Sequence, residues 1–238
     1  MIEKEQELLA RVLDLFAQKF DKRAILRGGM VLRILGSPRY TNALDYVFIP
    51  YKSKKDIVTE VVDCLSSING AKVDYSLNSK CLRVVVATHE ATIQVEIKVA
   101  MEAKTSIAST KLFSTQFNVP QRLIRVLDYS VALANKMAAW NERRLIRDLY
   151  DIWFYLQMHV EPDAEVLTKR LKKPCYSRLV KPEDYFPGQT PSEFYNYLRT
   201  QTAQLSDKDI KTELSDYLPL EEITGLSMLF RAALAKLR

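Results

Sequence analysis

Apolar positions fall into two regimes along the chain. From Glu3 to Phe20, Leu8, Leu9, Val12, Leu13, Leu15 and Phe16 recur at helical spacing, which predicts an amphipathic helix that packs on the sheet following it. Ile25 and Leu26 lead into Gly28-Gly29, Val31 to Leu35 continues as a short helix, and Gly36-Ser37-Pro38 ends that helix. Leu44 to Ile49 is apolar apart from Asp45, the pattern of a central strand covered on both faces. A second helix is expected over 54–67, with strands over 72–77, 82–87 and 92–99. In the last of these Ile93, Val95, Ile97 and Val99 share one face while Thr92, Gln94, Glu96 and Lys98 share the other. Glu96 therefore points away from the apolar side, toward a face that Asp45 can share.

The pattern changes after residue 104. A Ser- and Thr-rich stretch ending at Pro120 reads as a connection, and the periodicity beyond it is helical over 123–140 and 144–158. A further helix is expected over 221–237, after a region interrupted by Pro174, Pro182, Pro187 and Pro191. The expected fold class is α+β: a sheet domain over 1–104 with flanking helices, a connection over 105–120 and a helical domain over 121–238.

Composition adds bounds. A chain of 238 residues with 47% hydrophobic and 27% charged positions suits a soluble globular protein of one large or two modest domains. No apolar run approaches the ~18 to 20 residues of a membrane helix, and the acidic start MIEKEQELL lacks a secretion signal, so a cytoplasmic protein with no membrane partner is expected. Cys64, Cys81 and Cys175 are odd in number and widely spaced, which suggests neither a disulfide framework nor a thiolate zinc site. His89 and His159 are too few for a histidine-rich metal site, and no nucleophile signature accompanies either. The net charge of +6 favours an anionic partner. In KRLKKPCYSRLVK, Lys169, Arg170, Lys172, Lys173, Arg178 and Lys181 surround Tyr176. The segment reads either as a solvated helix end or as a surface for a phosphate backbone with a base stacked nearby.

The candidate chemistry centres on LRGGMVLRILGSPRYTNALDYVFIP. Two of only six glycines stand side by side at Gly28 and Gly29, so the backbone there must turn tightly or approach something closely, with a phosphate as the natural candidate. Positions 43 and 45 share a strand face where two carboxylates can share a divalent metal, yet only Asp45 is acidic. The glycine pair, Arg33 and the Thr-x-x-Leu-Asp element ending at Asp45 resemble the DNA polymerase β-type nucleotidyltransferase superfamily and, within it, the AbiEii/AbiGii toxin family. That family carries Asp-Leu-Asp where this chain reads Ala43-Leu44-Asp45, and a small hydroxyl residue where it has Met30. Lys136, Arg143 and the Arg-Asp-x-Tyr-Asp element at Arg147, Asp148 and Asp151 extend the resemblance, with Glu96 on the strand that bears the third carboxylate. The motifs span roughly residues 26 to 156.

The resemblance implies a nucleotidyltransferase-type mixed sheet and a toxin held in check by a cognate antitoxin. The implied reaction is metal-dependent transfer, with Mg2+ or Mn2+, of a nucleotide from an NTP to an RNA acceptor such as tRNA. The implied metal ligands are Asp45 and Glu96, with Ala43 at the expected second aspartate position and activity impaired there. Asp45, Glu96, Lys136 and Asp148 are the implied catalytic residues. Gly28, Gly29, Arg33, Lys136 and Arg143 would bind the nucleotide, with Lys136 bringing its ammonium to a phosphate past Leu133, Met137 and Trp140. Lys169, Arg170, Lys172 and Lys173 are the candidates for RNA contact. Arg147 and Asp151, four apart, would pair locally with Asp151 in support. Two other readings stand beside this one: a catalytically degenerate nucleotide- or RNA-binding protein of the same fold, and a protein-modifying transferase, which the basic charge disfavours weakly.

Overall fold

The computed structural model describes residues 2–175, 180–186, 188 and 190–237. The first compact unit runs from Met1 to Asp128 and the second from Tyr129 to Arg238. In the first, α1 (Ile2–Phe20) leads into β1 (Ala24–Arg27), α2 (Gly29–Ile34), β2 (Ala43–Phe48) and α3 (Val58–Ser66), which a short 3-10 turn at Lys54–Asp56 precedes. Strands β3 (Lys72–Leu77), β4 (Leu82–Ala87) and β5 (Thr92–Val99) follow, then β6 (Thr105–Ser109), α4 (Lys111–Ser114) and β7 (Leu123–Leu127). The strands form one mixed seven-stranded sheet in the order β3-β4-β5-β2-β1-β7-β6. Pairing is parallel between β2 and β5 and between β1 and β7, and antiparallel elsewhere.

β2 is central, as its apolar run predicts, but it is not covered on both faces. Leu44, Tyr46 and Phe48 are buried, whereas Ala43, Asp45 and Val47 are only half-buried. The reason lies in the neighbours: Val95 and Ile97 on β5 and Leu26 on β1 share the face of Leu44 and Tyr46, while Glu96 and Arg27 share the face of Asp45. The apolar face is closed by aromatic packing from α1. Phe16 is 1% exposed and meets Phe20 edge-on at 4.9 Å, Tyr46 at 5.0 Å and Phe48 at 6.0 Å.

Two further sequence expectations fail for one shared reason. Residues 105–120 hold β6 and α4 where a connection was expected, and Leu123–Leu127 is β7 where a helix was expected. Leu123 to Leu127 satisfies either period over so short a window, and the pairing of Val126 beside Leu26 on β1 decides for strand. Sheet and helices therefore separate at Asp128, later than residue 104.

The second unit holds only helices among its described residues: α5 (Tyr129–Arg143), α6 (Ile146–Gln157), α7 (Ala164–Lys172), α8 (Pro191–Ala203), α9 (Asp207–Leu214), α10 (Leu220–Ile223) and α11 (Leu226–Leu234). Capping boxes at Thr190–Glu193 and Ser206–Asp209 start α8 and α9. The single helix expected over 221–237 is broken by Gly225, whose φ of 78° is left-handed backbone. No helix among the described residues is long and apolar enough to cross a membrane. Phe16→Ala should cost about 3 to 5 kcal/mol of stability through lost burial and an unfilled cavity, read from the urea midpoint of the full chain.

Candidate active site

The two glycines of the turn between β1 and α2 have separate uses. Gly28 has φ 77° and ψ −158°, a conformation essentially confined to glycine. A Cβ at this position would overlap the Oδ2 of Asp45 and stand 3.1 Å from its Cγ. Gly28 is thus what allows the Asp45 carboxylate to lie directly against the turn. A Cβ on Gly29 would instead collide with the guanidinium of Arg39, a residue that is 6% exposed. Arg39 receives no signal in the sequence beyond its place after the Gly36-Ser37-Pro38 break, and it braces the turn from beneath.

Strand register then assembles a charged row on the half-buried face. Arg27 pairs with Asp45, Asp45 with Glu96, and Glu96 with Arg83, on β1, β2, β5 and β4 in turn. Ala43 lies in the same face opposite Gln94. Glu96 is held by Arg83, whose Nε and Nη2 donate to Oε1 at 3.1 and 2.8 Å, and by Gln94, whose Nε2 donates to the same oxygen at 2.7 Å. Arg83 follows from hairpin arithmetic, because closing β4 onto β5 at Ala87 and Thr92 places it opposite Glu96. Arg33 lies near the far end of α2. Its Nη1 donates to the Ser37 carbonyl at 2.9 Å, its Nε to Gln6 at 3.4 Å, and it stacks on Tyr40 and Phe113 at 5.7 Å each. These contacts tie α1, α2 and the following loop together.

Within the helical unit, Asp148 and Asp151 on α6 are 1% and 0% exposed in their side chains. Arg143 forks onto Asp148, with Nε at 3.1 Å and Nη2 at 2.7 Å from Oδ2. Lys136 on α5 pairs with Asp151 and stands 3.5 Å from Asp148. The Lys136 ammonium is therefore not presented to solvent as the sequence suggested: its side chain is 18% exposed and it neutralises two buried acids. Removing one member would strand a buried charge at about 3 to 5 kcal/mol, which sets this group apart from a surface pair. Arg147 turns away from Asp151: its Nη1 donates to the Tyr217 hydroxyl at 2.7 Å and its backbone N–H donates to Oε1 of Glu213 at 3.2 Å.

The basic segment is less uniform than its composition. Arg170 is half-buried and turned toward α5, with Nη2 at 2.8 and 2.9 Å from the two oxygens of the buried Glu142 and Nη1 at 2.7 Å from Asn135. Lys169 pairs with Glu165 one turn away at 2.6 Å, and Lys172 and Lys173 are exposed. Tyr176 and Arg178 lie outside the described residues.

The carboxylates do not make a complete site for divalent cations. No group of three or more His, Cys, Asp and Glu side chains placed to hold a metal occurs among the described residues. Ala43 contributes no oxygen, and Glu96 already carries Arg83. Asp45 and Glu96 are two carboxylates, the second paired with Arg83, so a divalent ion here would need its remaining oxygens from water or substrate phosphate.

The architecture is that of nucleotidyltransferases. It matches JHP933 from Helicobacter pylori with a TM-score of 0.54 at 16% identity, covering 98% of this chain and 90% of that one. It also matches the nucleotidyltransferase toxin MenT4 from Mycobacterium tuberculosis H37Rv with a TM-score of 0.54 at 15% identity, covering 98% and 92%. No curated protein matches the sequence. The model of the nucleotidyl transferase AbiEii toxin family, of type IV toxin–antitoxin systems, matches residues 8–234, and the chain belongs to that family.

Gly28→Ala should cost about 1 to 3 kcal/mol from backbone strain and should also displace Asp45 from the turn. Thermal unfolding together with NTP titration of the folded variant checks both effects.

Proposed function

We propose that the chain acts as a nucleotidyltransferase toxin that moves a nucleotide from an NTP to an RNA acceptor such as tRNA, under restraint by a cognate antitoxin. Its chemistry is impaired by Ala43. The observation that carries this reading is the Asp45 carboxylate lying against the Gly28 turn, in register with Glu96. A turn without side chains beside a charged row suits a triphosphate, because backbone and arginine can approach its oxygens while a carboxylate faces the reacting phosphorus. In the transfer an acceptor hydroxyl attacks the α-phosphorus and pyrophosphate leaves. Asp45 is the residue to orient that step, and Arg27, next to it in the row, is suited to the developing charge. Family membership suggests Mg2+ or Mn2+ as cofactor, but Asp45 and Glu96 alone leave its ligand set incomplete without oxygens from water or substrate, and no step here runs through a metal.

In the helical unit, Arg143, Lys136, Asp148 and Asp151 form a charge-balanced group whose fixed geometry suits a positioning role, with Arg143 the most exposed member at 38% of its side chain. Acceptor contact is assigned to Lys169, Lys172 and Lys173, while Arg170 is engaged by the buried Glu142. The position of Ala43 also favours a second reading, a nucleotide-binding protein of the same fold that has lost the chemistry. Ala43→Asp discriminates between the two. Supplying the missing carboxylate should raise transfer of label from α-labelled NTP to RNA by more than about 100-fold, since a direct ligand outweighs the ~10 to 100-fold of outer-shell changes. Transfer that stays at the level of the unsubstituted chain would leave the second reading.

A further inference from the structure

The row Arg27, Asp45, Glu96, Arg83 places an arginine on the outer side of each carboxylate. On Glu96 that contact is made, with two donors from Arg83 and one from Gln94 converging on Oε1. Three donors already exceed the roughly two lone-pair sites of one carboxylate oxygen, so Oε1 has nothing left for a cation, which must use Oε2 beside the guanidinium. A divalent ion must bring carboxylate oxygen to within about 2.0 to 2.6 Å, which here means approaching a guanidinium of like charge already seated on that carboxylate. Ala43, opposite Gln94, offers no substitute oxygen.

We propose that Arg83 serves as a built-in cation for Glu96, standing where a divalent ion would use that carboxylate, and thereby lowers the affinity of this sheet face for divalent metal. The inference rests on the reading of this face as the transfer site, but the competition it describes needs no turnover. The pair is reachable by solvent, with side-chain exposures of 48% for Arg83 and 30% for Glu96, so a metal and the guanidinium compete directly. The balance is set by charge and position, and either partner can be changed without opening the core. Ala43→Asp alone would therefore recover only part of the metal affinity that the fold can support.

The test is titration of the full chain with Mn2+, following free Mn2+ by its electron paramagnetic resonance signal at low salt. Compared are the unsubstituted chain, Arg83→Met, Arg83→Gln as a second neutral replacement should the first not fold, and the neutral variant combined with Glu96→Gln. The neutral replacement should tighten Mn2+ binding by about two- to fivefold, the scale of an exposed ion pair removed from competition. Glu96→Gln should cancel that gain. Binding no tighter in the neutral variants, including no binding by any chain, overturns the proposal, as does a gain that survives Glu96→Gln. A Mn2+ gain with no nucleotide transfer by Ala43→Asp would leave Arg83 in this role and sink the proposed function, and the reverse pattern would do the opposite.

Discussion

Everything at the sheet site depends on the parallel pairing of β2 with β5. That register sets Asp45 beside Glu96, and because β1 and β4 flank the pair with fixed registers of their own, it sets an arginine beyond each acid. A slip of β2 by one residue would turn Asp45 into the face where Phe16, Tyr46 and Phe48 pack, at the cost of a buried charge. The apolar core thus holds the chemistry in place. Aromatic contacts between α1 and β2 hold the strand against slippage, and the polar residues opposite need supply no stability of their own.

The two units treat charge differently. On the sheet the acids are half-buried and the Arg83–Glu96 pair remains open to water, so its geometry is adjustable and its energy small. In the helices Asp148 and Asp151 are fully enclosed and owe their tolerance to Lys136 and Arg143. Lys136 therefore works first as a counterion, and any substitution there acts on the stability of α5 and α6 before it acts on a phosphate.

Local pattern was enough for α1, for the strands β3, β4 and β5, and for the orientation of Glu96, since each rests on periodicity within one segment. The glycine pair was legible as a constraint because glycine is scarce in this chain. Its division of labour was not: that Gly28 admits Asp45 while Gly29 admits Arg39 follows only from which side chains the tertiary fold brings to each. β7 was misread because five residues carry too little period to separate strand from helix, and its partner β1 lies far back in sequence. The pairing of Arg170 was not legible for another reason. A run of basic residues looks uniform in sequence, whereas Glu142, which takes Arg170 inward, belongs to a different helix.

In the proposed function the glycine turn and the face of β2 receive the nucleotide. Amide hydrogen exchange of the full chain, with and without saturating non-hydrolysable NTP, tests it most directly, because it maps contact without requiring turnover. Slowed exchange is expected in segments containing residues 28–31 and 43–46. Protection confined to other segments, or saturation without protection of the turn, would contradict it.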